Sequence, residues 1–166
     1  MACRCLIVAS SPMDGEALNR AANDCISRDR SLFHVLVPTD QVKLETTAWT
    51  EGGWMPVRAR AAMDAAWKEA ECRRAAKLEE ARGRAEHRLA LAIARIHAVG
   101  GEAAGEVVPE KPFEATRVAL ERLPPINRII VSALPGSLSR RVKMDLPSRI
   151  ARVTDVPVVL LDAPSR

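Results

Sequence analysis

Apolar residues lie in short unbroken runs along the chain, not in alternation with polar ones. Cys5-Leu-Ile-Val-Ala9, Leu32 to Val37, Arg128 to Ala133 and Val156 to Leu161 are each rich in Val, Ile or Leu. Runs of this kind mark strands covered on both faces, as in a parallel sheet. Glu102 to Val108 is a weaker fifth strand, and its Glu102, Gly105 and Glu106 suit a sheet edge. Helical patterns separate the runs. Asp14 can cap a helix through about Ile26, with Ala17, Leu18, Ala21, Ala22 and Cys25 as its apolar face. Lys111 to Leu123 carries Pro112 in its first turn and stops before Pro124-Pro125, and Leu146 to Val153 reads as a last helix. This order predicts an α/β fold: a five-stranded parallel sheet sandwiched by helices, with right-handed crossovers.

Residues 57–99 break the rhythm. They contain 14 Ala, one Gly and no Pro, so summed propensity predicts helix throughout, ended by Gly100-Gly101. Leu78, Ala85, Leu89, Ile93 and Ile96 recur at helical spacing and are expected to pack on the sheet. A single straight helix of this length would run about 65 Å. A compact domain of this size has a radius of gyration of about 15 Å. The helix should therefore break within 70–83 or project as an arm. The segment before it, Pro38 to Pro56, contains Trp49, Gly52-Gly53 and Trp54 and reads as a long surface loop. With the first half of the helix it forms an insert at about 38–75 in one domain spanning residues 1–166.

The same helical segment carries the charge. It holds ten basic and six acidic side chains, a net of +4 that equals the net charge of the whole chain. A protruding basic helix of this type suits an acidic protein partner or a second subunit. Nucleic acid is a poor fit, because aromatics are 3% of the chain, Tyr is absent, and no helix-turn-helix or finger pattern appears. No apolar run approaches the roughly 20 residues that span a bilayer, so cytoplasmic residence is the expectation. Cys3 and Cys5 share a strand face about 6.6 Å apart, the upper limit for a disulfide. With Cys25 and Cys72 they read as small core side chains in a reducing compartment, and no His or Cys spacing points to a metal.

Catalytic signatures are missing. There is no P-loop, no G-x-G-x-x-G after the first strand and no G-x-S-x-G elbow. His34 reads as a core or strand-end residue, and His87 and His97 as surface residues of the long helix. A binding protein is therefore expected rather than an enzyme. Ligands of open α/β sheets sit beyond the carboxyl ends of the strands. After the first strand stand Ser10, Ser11 and Asp14-Gly15; after the second stands Pro38-Thr39-Asp40. After the fourth comes Pro135-Gly136-Ser137-Leu138-Ser139-Arg140-Arg141, small, hydroxyl-rich and basic. Gly136, Ser137, Ser139 and Arg140, with Ser10 and Ser11, are the candidates to hold an anion.

These features resemble the universal stress protein family, a Rossmann-like group that includes adenine-nucleotide binders. The resemblance rests on the strand-loop-helix start at 5–26, the strand Leu32 to Val37, and Ile129-Ile-Val-Ser-Ala133, Pro135 to Arg152 and Val156-Pro-Val-Val-Leu160. It implies strand order 3-2-1-4-5, a regulatory or stress-response role, and a two-fold dimer formed around Val156 to Leu161. ATP or AMP is the ligand it would bring; the residues themselves call for no cofactor. The family's binding members carry an Asp just after the first strand, where Ser10 stands here. They also carry G-x2-G-x9-G-[ST] after the fourth, of which Gly136 survives while Met144 and Asp145 fall on the last two positions. The nucleotide site is thus degraded, and ATP is expected to bind weakly or not at all. The alternatives are a protein-interaction module with no small ligand and an ATP- or AMP-binding stress protein.

Overall fold

A computed structural model describes residues 3–10, 15–26, 31–39, 57–132 and 146–161. The elements are β1 (Cys3–Ala9), α1 (Gly15–Ile26), β2 (Ser31–Pro38), α2 (Val57–Ala98), β3 (Glu102–Val108), α3 (Pro112–Arg122), β4 (Arg128–Ser132), α4 (Leu146–Ala151) and β5 (Val158–Leu161). All strand pairings are parallel, and the order is β3-β2-β1-β4-β5. The apolar runs therefore become a sheet whose middle strand, β1, is buried on both sides. Cys5, Ile7 and Ala9 face α1 and α2, whereas Leu6 and Val8 face α3 and α4. Glu102 to Val108 lies at one edge, as its glutamates predict, and β5 lies at the other.

Gly105 sets how closely α2 approaches that first edge. A Cβ there would overlap the carbonyl oxygen of Val35, its register partner on β2, and come within 2.7 Å of Leu89 Cδ1 on α2. Only a hydrogen fits between the strand and the helix at this point. Gly100 and Gly101 then stop α2. Gly100 has φ 85°, its N–H donates to the His97 carbonyl, and that of Gly101 donates to the Ile96 carbonyl. These two bonds make a Schellman cap, which turns the chain directly into β3. Ala103 N–H donates to His97 Nε2 at 3.3 Å and ties the same corner.

α2 is one unbroken helix of 42 residues. No break occurs in 70–83, so the alternative, a projecting arm, is what the chain adopts. Its buried residues are Ala81, Ala85, Ala92 and Ile96; none of residues 57–80 is buried. Leu78, expected on the sheet, is 48% exposed because the helix leaves the domain just before Ala81. Val57 and Trp67 are exposed farther out, Trp67 at 62%. Cys72, expected in a core, is exposed on the arm; Cys5 and Cys25 are buried and Cys3 partly so, all four as free thiols. Intrahelical ion pairs help a solvated helix persist. Arg73–Glu69 at 2.6 Å, Arg84–Glu80 at 2.8 Å and Arg82–Glu86 at 2.9 Å supply them.

The charge also falls differently from the sequence expectation. The projecting residues 57–80 are nearly balanced, with six basic and five acidic side chains. The excess sits on the half packed against the domain, in Arg82, Arg84, Arg88 and Arg95 against Glu86.

Candidate ligand crevice

The strand order reverses between β1 and β4. β1 leads through α1 to β2 on one side, while β4 lies on its other side. Such a switch point opens a crevice at the carboxyl ends of the strands. Ser10 stands there. Its N–H donates to the Ser132 carbonyl at 3.1 Å, and its hydroxyl donates to the same oxygen. The two strand ends are thereby held together, and the Ser10 hydroxyl is engaged with the main chain. A carboxylate at this position has no proton to give that carbonyl, which is a physical reason for a serine.

Two cations reach toward this end from α2. Arg88 extends its guanidinium to the Pro38 carbonyl at the end of β2, 3.5 Å away. The Arg95 guanidinium lies against Gly15, the first residue of α1, where a Cβ would overlap it. A cation beside a helix N-terminus opposes the helix dipole, so this corner favours an anion between them. Glu16 in the first turn of α1 supplies one negative charge near it. Thr39 N–H donates to the Val108 carbonyl at 2.9 Å and closes the far side of the sheet end. Sequence reading missed Arg88 and Arg95. Their signal was present: two arginines two helical turns apart, beside the small buried residues Ala85 and Ala92.

Of the sequence candidates, Ser10 is placed at the crevice. Ser11, Gly136, Ser137, Ser139, Arg140, Met144 and Asp145 lie outside the described residues. His34 is half-buried on β2 and pairs with Glu106 of β3 at 3.2 Å, not in the core proper. Glu106 also receives Arg122 of α3. The Arg122 hydrogen bonds, and then that of His34, hold the Glu106 carboxyl below the usual carboxylate range despite its partial burial. This trio lies on the outer edge of the sheet, away from β1 and β4.

A cleft of about 330 Å³ opens at the opposite, amino end of the strands, lined by Arg4, His34, Glu102 and the apolar Leu32, Phe33, Leu123, Pro124 and Ile126. The switch point is the other candidate ligand site, at the reversal of strand order between β1 and β4. Among the described residues no group of three or more His, Cys, Asp or Glu is arranged to hold a metal ion.

Fold and crevice together define an open parallel α/β protein with a strand-order switch between β1 and β4. Solved structures that share this fold include universal stress proteins. That from Lactobacillus plantarum matches with a TM-score of 0.59 at 14% identity, over 96% of this chain and 97% of that one. One from Archaeoglobus fulgidus, in complex with dAMP, gives 0.52 at 13% identity, over 96% and 97%. A family member from Arabidopsis thaliana with AMP bound gives 0.53 at 12% identity, over 98% and 93%. No family model matches the sequence, and no curated protein does. At these identities the likeness is one of fold. Among the described residues no helix is long and apolar enough to cross a membrane.

Proposed function

We propose that this chain is a regulatory ligand-binding protein of the universal-stress-protein type, not an enzyme, with a weakened adenine-nucleotide site at the β1–β4 switch point. The observation that carries the reading is the crevice end held by Ser10 and Ser132, in a fold whose solved neighbours hold AMP and dAMP. Arg95 beside Gly15 supports an anionic ligand. Met144 and Asp145 immediately precede α4. Asp145 suits the N-cap of that helix, with Pro147 in the first turn. Its carboxylate would compete with a phosphate for the same N–H groups. Two like charges about 4 Å apart cost on the order of 1–4 kcal/mol. Arg140 and Ser137 act in the opposite sense and keep affinity for a small anion.

Calorimetry with AMP and with ATP·Mg²⁺ tests this. The expected dissociation constant is weaker than about 100 μM, and Met144→Gly with Asp145→Ser should tighten it at least tenfold, about 1.4 kcal/mol. A low-micromolar constant for the wild-type chain, lost in Arg140→Ala, would overturn the weakened site. No binding even in the double variant would overturn the nucleotide reading itself.

For assembly, we infer a two-fold dimer formed along β5. Val159 is 39% exposed and Leu160 44%, on opposite faces of the edge strand. A two-fold contact covers such an edge on both copies. The alternative, an acidic protein partner on α2, draws on the cation excess at residues 82–95.

A further inference from the structure

Three thiols form a line at the amino end of the sheet, remote from the ligand crevice. Cys3 and Cys5 share one face of β1, and their sulfurs are 3.9 Å apart. Cys5 Sγ lies 3.3 Å from Cys25 Sγ, on the last turn of α1. That is closer than the roughly 3.5–4.0 Å of ordinary nonbonded contact between smaller carbon atoms. Arg128, the register partner of Cys5 on β4, places Nη1 3.6 Å from Cys25 Sγ. Cys5 and Cys25 are buried, whereas Cys3 is partly open to solvent. The line thus runs from the surface to a buried pair beside a guanidinium.

We propose that this line is an oxidation site for hydroperoxides, in which Cys3 is the entry thiol and Cys5–Cys25 the disulfide that results. The hydroperoxide transfers its terminal oxygen to the Cys3 thiol, giving a sulfenic acid and releasing an alcohol, or water from hydrogen peroxide. Cys5 sulfur attacks the Cys3 sulfur; the hydroxyl leaves with the Cys5 proton as water, and a Cys3–Cys5 disulfide forms. Cys25 sulfur then attacks Cys5, and its proton passes to the Cys3 sulfur as that thiol departs. In sum, two thiols lose two hydrogens, and one hydroperoxide becomes an alcohol and a water.

Each step has a physical reason. Burial keeps Cys5 from reagent in solvent. With the adjoining sulfurs it also pushes the thiol up, so the Cys5 proton leaves with the sulfenic hydroxyl only as Cys5 attacks Cys3. It is the 3.9 Å contact that makes Cys3 its partner. A disulfide between residues i and i+2 of a strand spans about 6.6 Å between Cα atoms, at the limit of the usual range, so it is labile and passes its bond on. Arg128 Nη1, 3.6 Å from Cys25 Sγ, holds that sulfur beside Cys5.

The test uses the full chain with Cys72→Ser, which removes the exposed thiol of the arm. Hydrogen peroxide is added in equimolar steps, free thiols are blocked under denaturing conditions, and tryptic peptides are read by mass spectrometry. Cleavage after Arg4 and Arg20 puts the three cysteines on separate peptides. The expected product links peptide 5–20 to peptide 21–28, is reversed by dithiothreitol, and raises the midpoint of thermal unfolding by about 5 °C through closure of the intervening loop. Cys3→Ser, a substitution at a partly exposed position, should slow the linkage at least tenfold. Terminal sulfinic or sulfonic acid on Cys3 with peptide 5–20 unlinked would overturn the proposal. A linkage rate unchanged in Cys3→Ser would overturn the entry role.

Discussion

Gly105 on β3 and Leu89 on α2 meet with no room for a methyl group between them, and the Val35 carbonyl closes the third side. One hydrogen thus decides how closely the long helix lies on the sheet edge. Gly105→Ala should cost about 1–3 kcal/mol, the usual range for overpacking a filled site. Thermal unfolding should register this as a drop of several degrees, at about 2–4 °C per kcal/mol for a chain of this size. Leu89→Ala in the same chain should recover part of the loss, because the side chain in the way is then removed. Additive losses would show that the two residues do not press on each other.

The arm contributes little to the stability of the domain. No residue of α2 before Ala81 is buried, so deleting 57–75 removes helix without opening the core. Circular dichroism should lose helical signal in proportion to the residues removed, while the unfolding midpoint moves by no more than a few degrees. Aggregation of the shortened chain would show that the arm covers part of the domain.

Glu106 gives stability a dependence on acid. Its carboxyl is held low in the folded chain, chiefly by Arg122 and then by His34. A lowered folded value means that the contribution is complete above the ordinary glutamate value and lost as pH falls through the folded one. Glu106→Gln should therefore destabilise the chain at pH 7 by up to about 1 kcal/mol, a modest figure because the pair is partly solvated. Denaturant titrations should show that difference shrinking below pH 4.5, the ordinary value. A difference that stays constant down to pH 3 would mean that the charge plays no part.

The β5 edge is best probed at its exposed side chains. Val158 packs against the α3–α4 face, so a lysine there would damage the core as well as any dimer. Leu160→Lys places the charge outside. Light scattering at tens of micromolar should show a dimer for the wild-type chain and a monomer for this variant, with unfolding midpoints nearly equal. A wild-type monomer at that concentration would remove the edge-strand dimer.

The sheet was legible because strands buried on both faces leave a signature that needs no partner to read. Leu6 to Ala9 and Ile129 to Val131 are continuous apolar runs for that reason, and Glu102 and Glu106 marked the edge. The end of α2 was legible from Gly100-Gly101, whose cap is purely local. The depth of α2 in the domain was not. Leu78 keeps the helical spacing of Ala85 and Ile96, but spacing says which side of a helix is apolar and not where the domain stops. The crevice was half legible. Ser10 follows a recognisable strand end, whereas Arg88 and Arg95 come from a helix distant in sequence and meet β2 and α1 through the tertiary fold alone.

A helix fixed at one end is a lever. Residues 57–80 extend about 36 Å beyond the last buried turn. A tilt of about 5° at Ala81 therefore carries Val57 through about 3 Å, at the same rise per residue. The pivot lies beside Arg82, Arg84 and Arg88, and Arg88 touches the end of β2 next to the ligand crevice. By the same geometry, any tilt at that pivot is magnified at Trp67 and Val57.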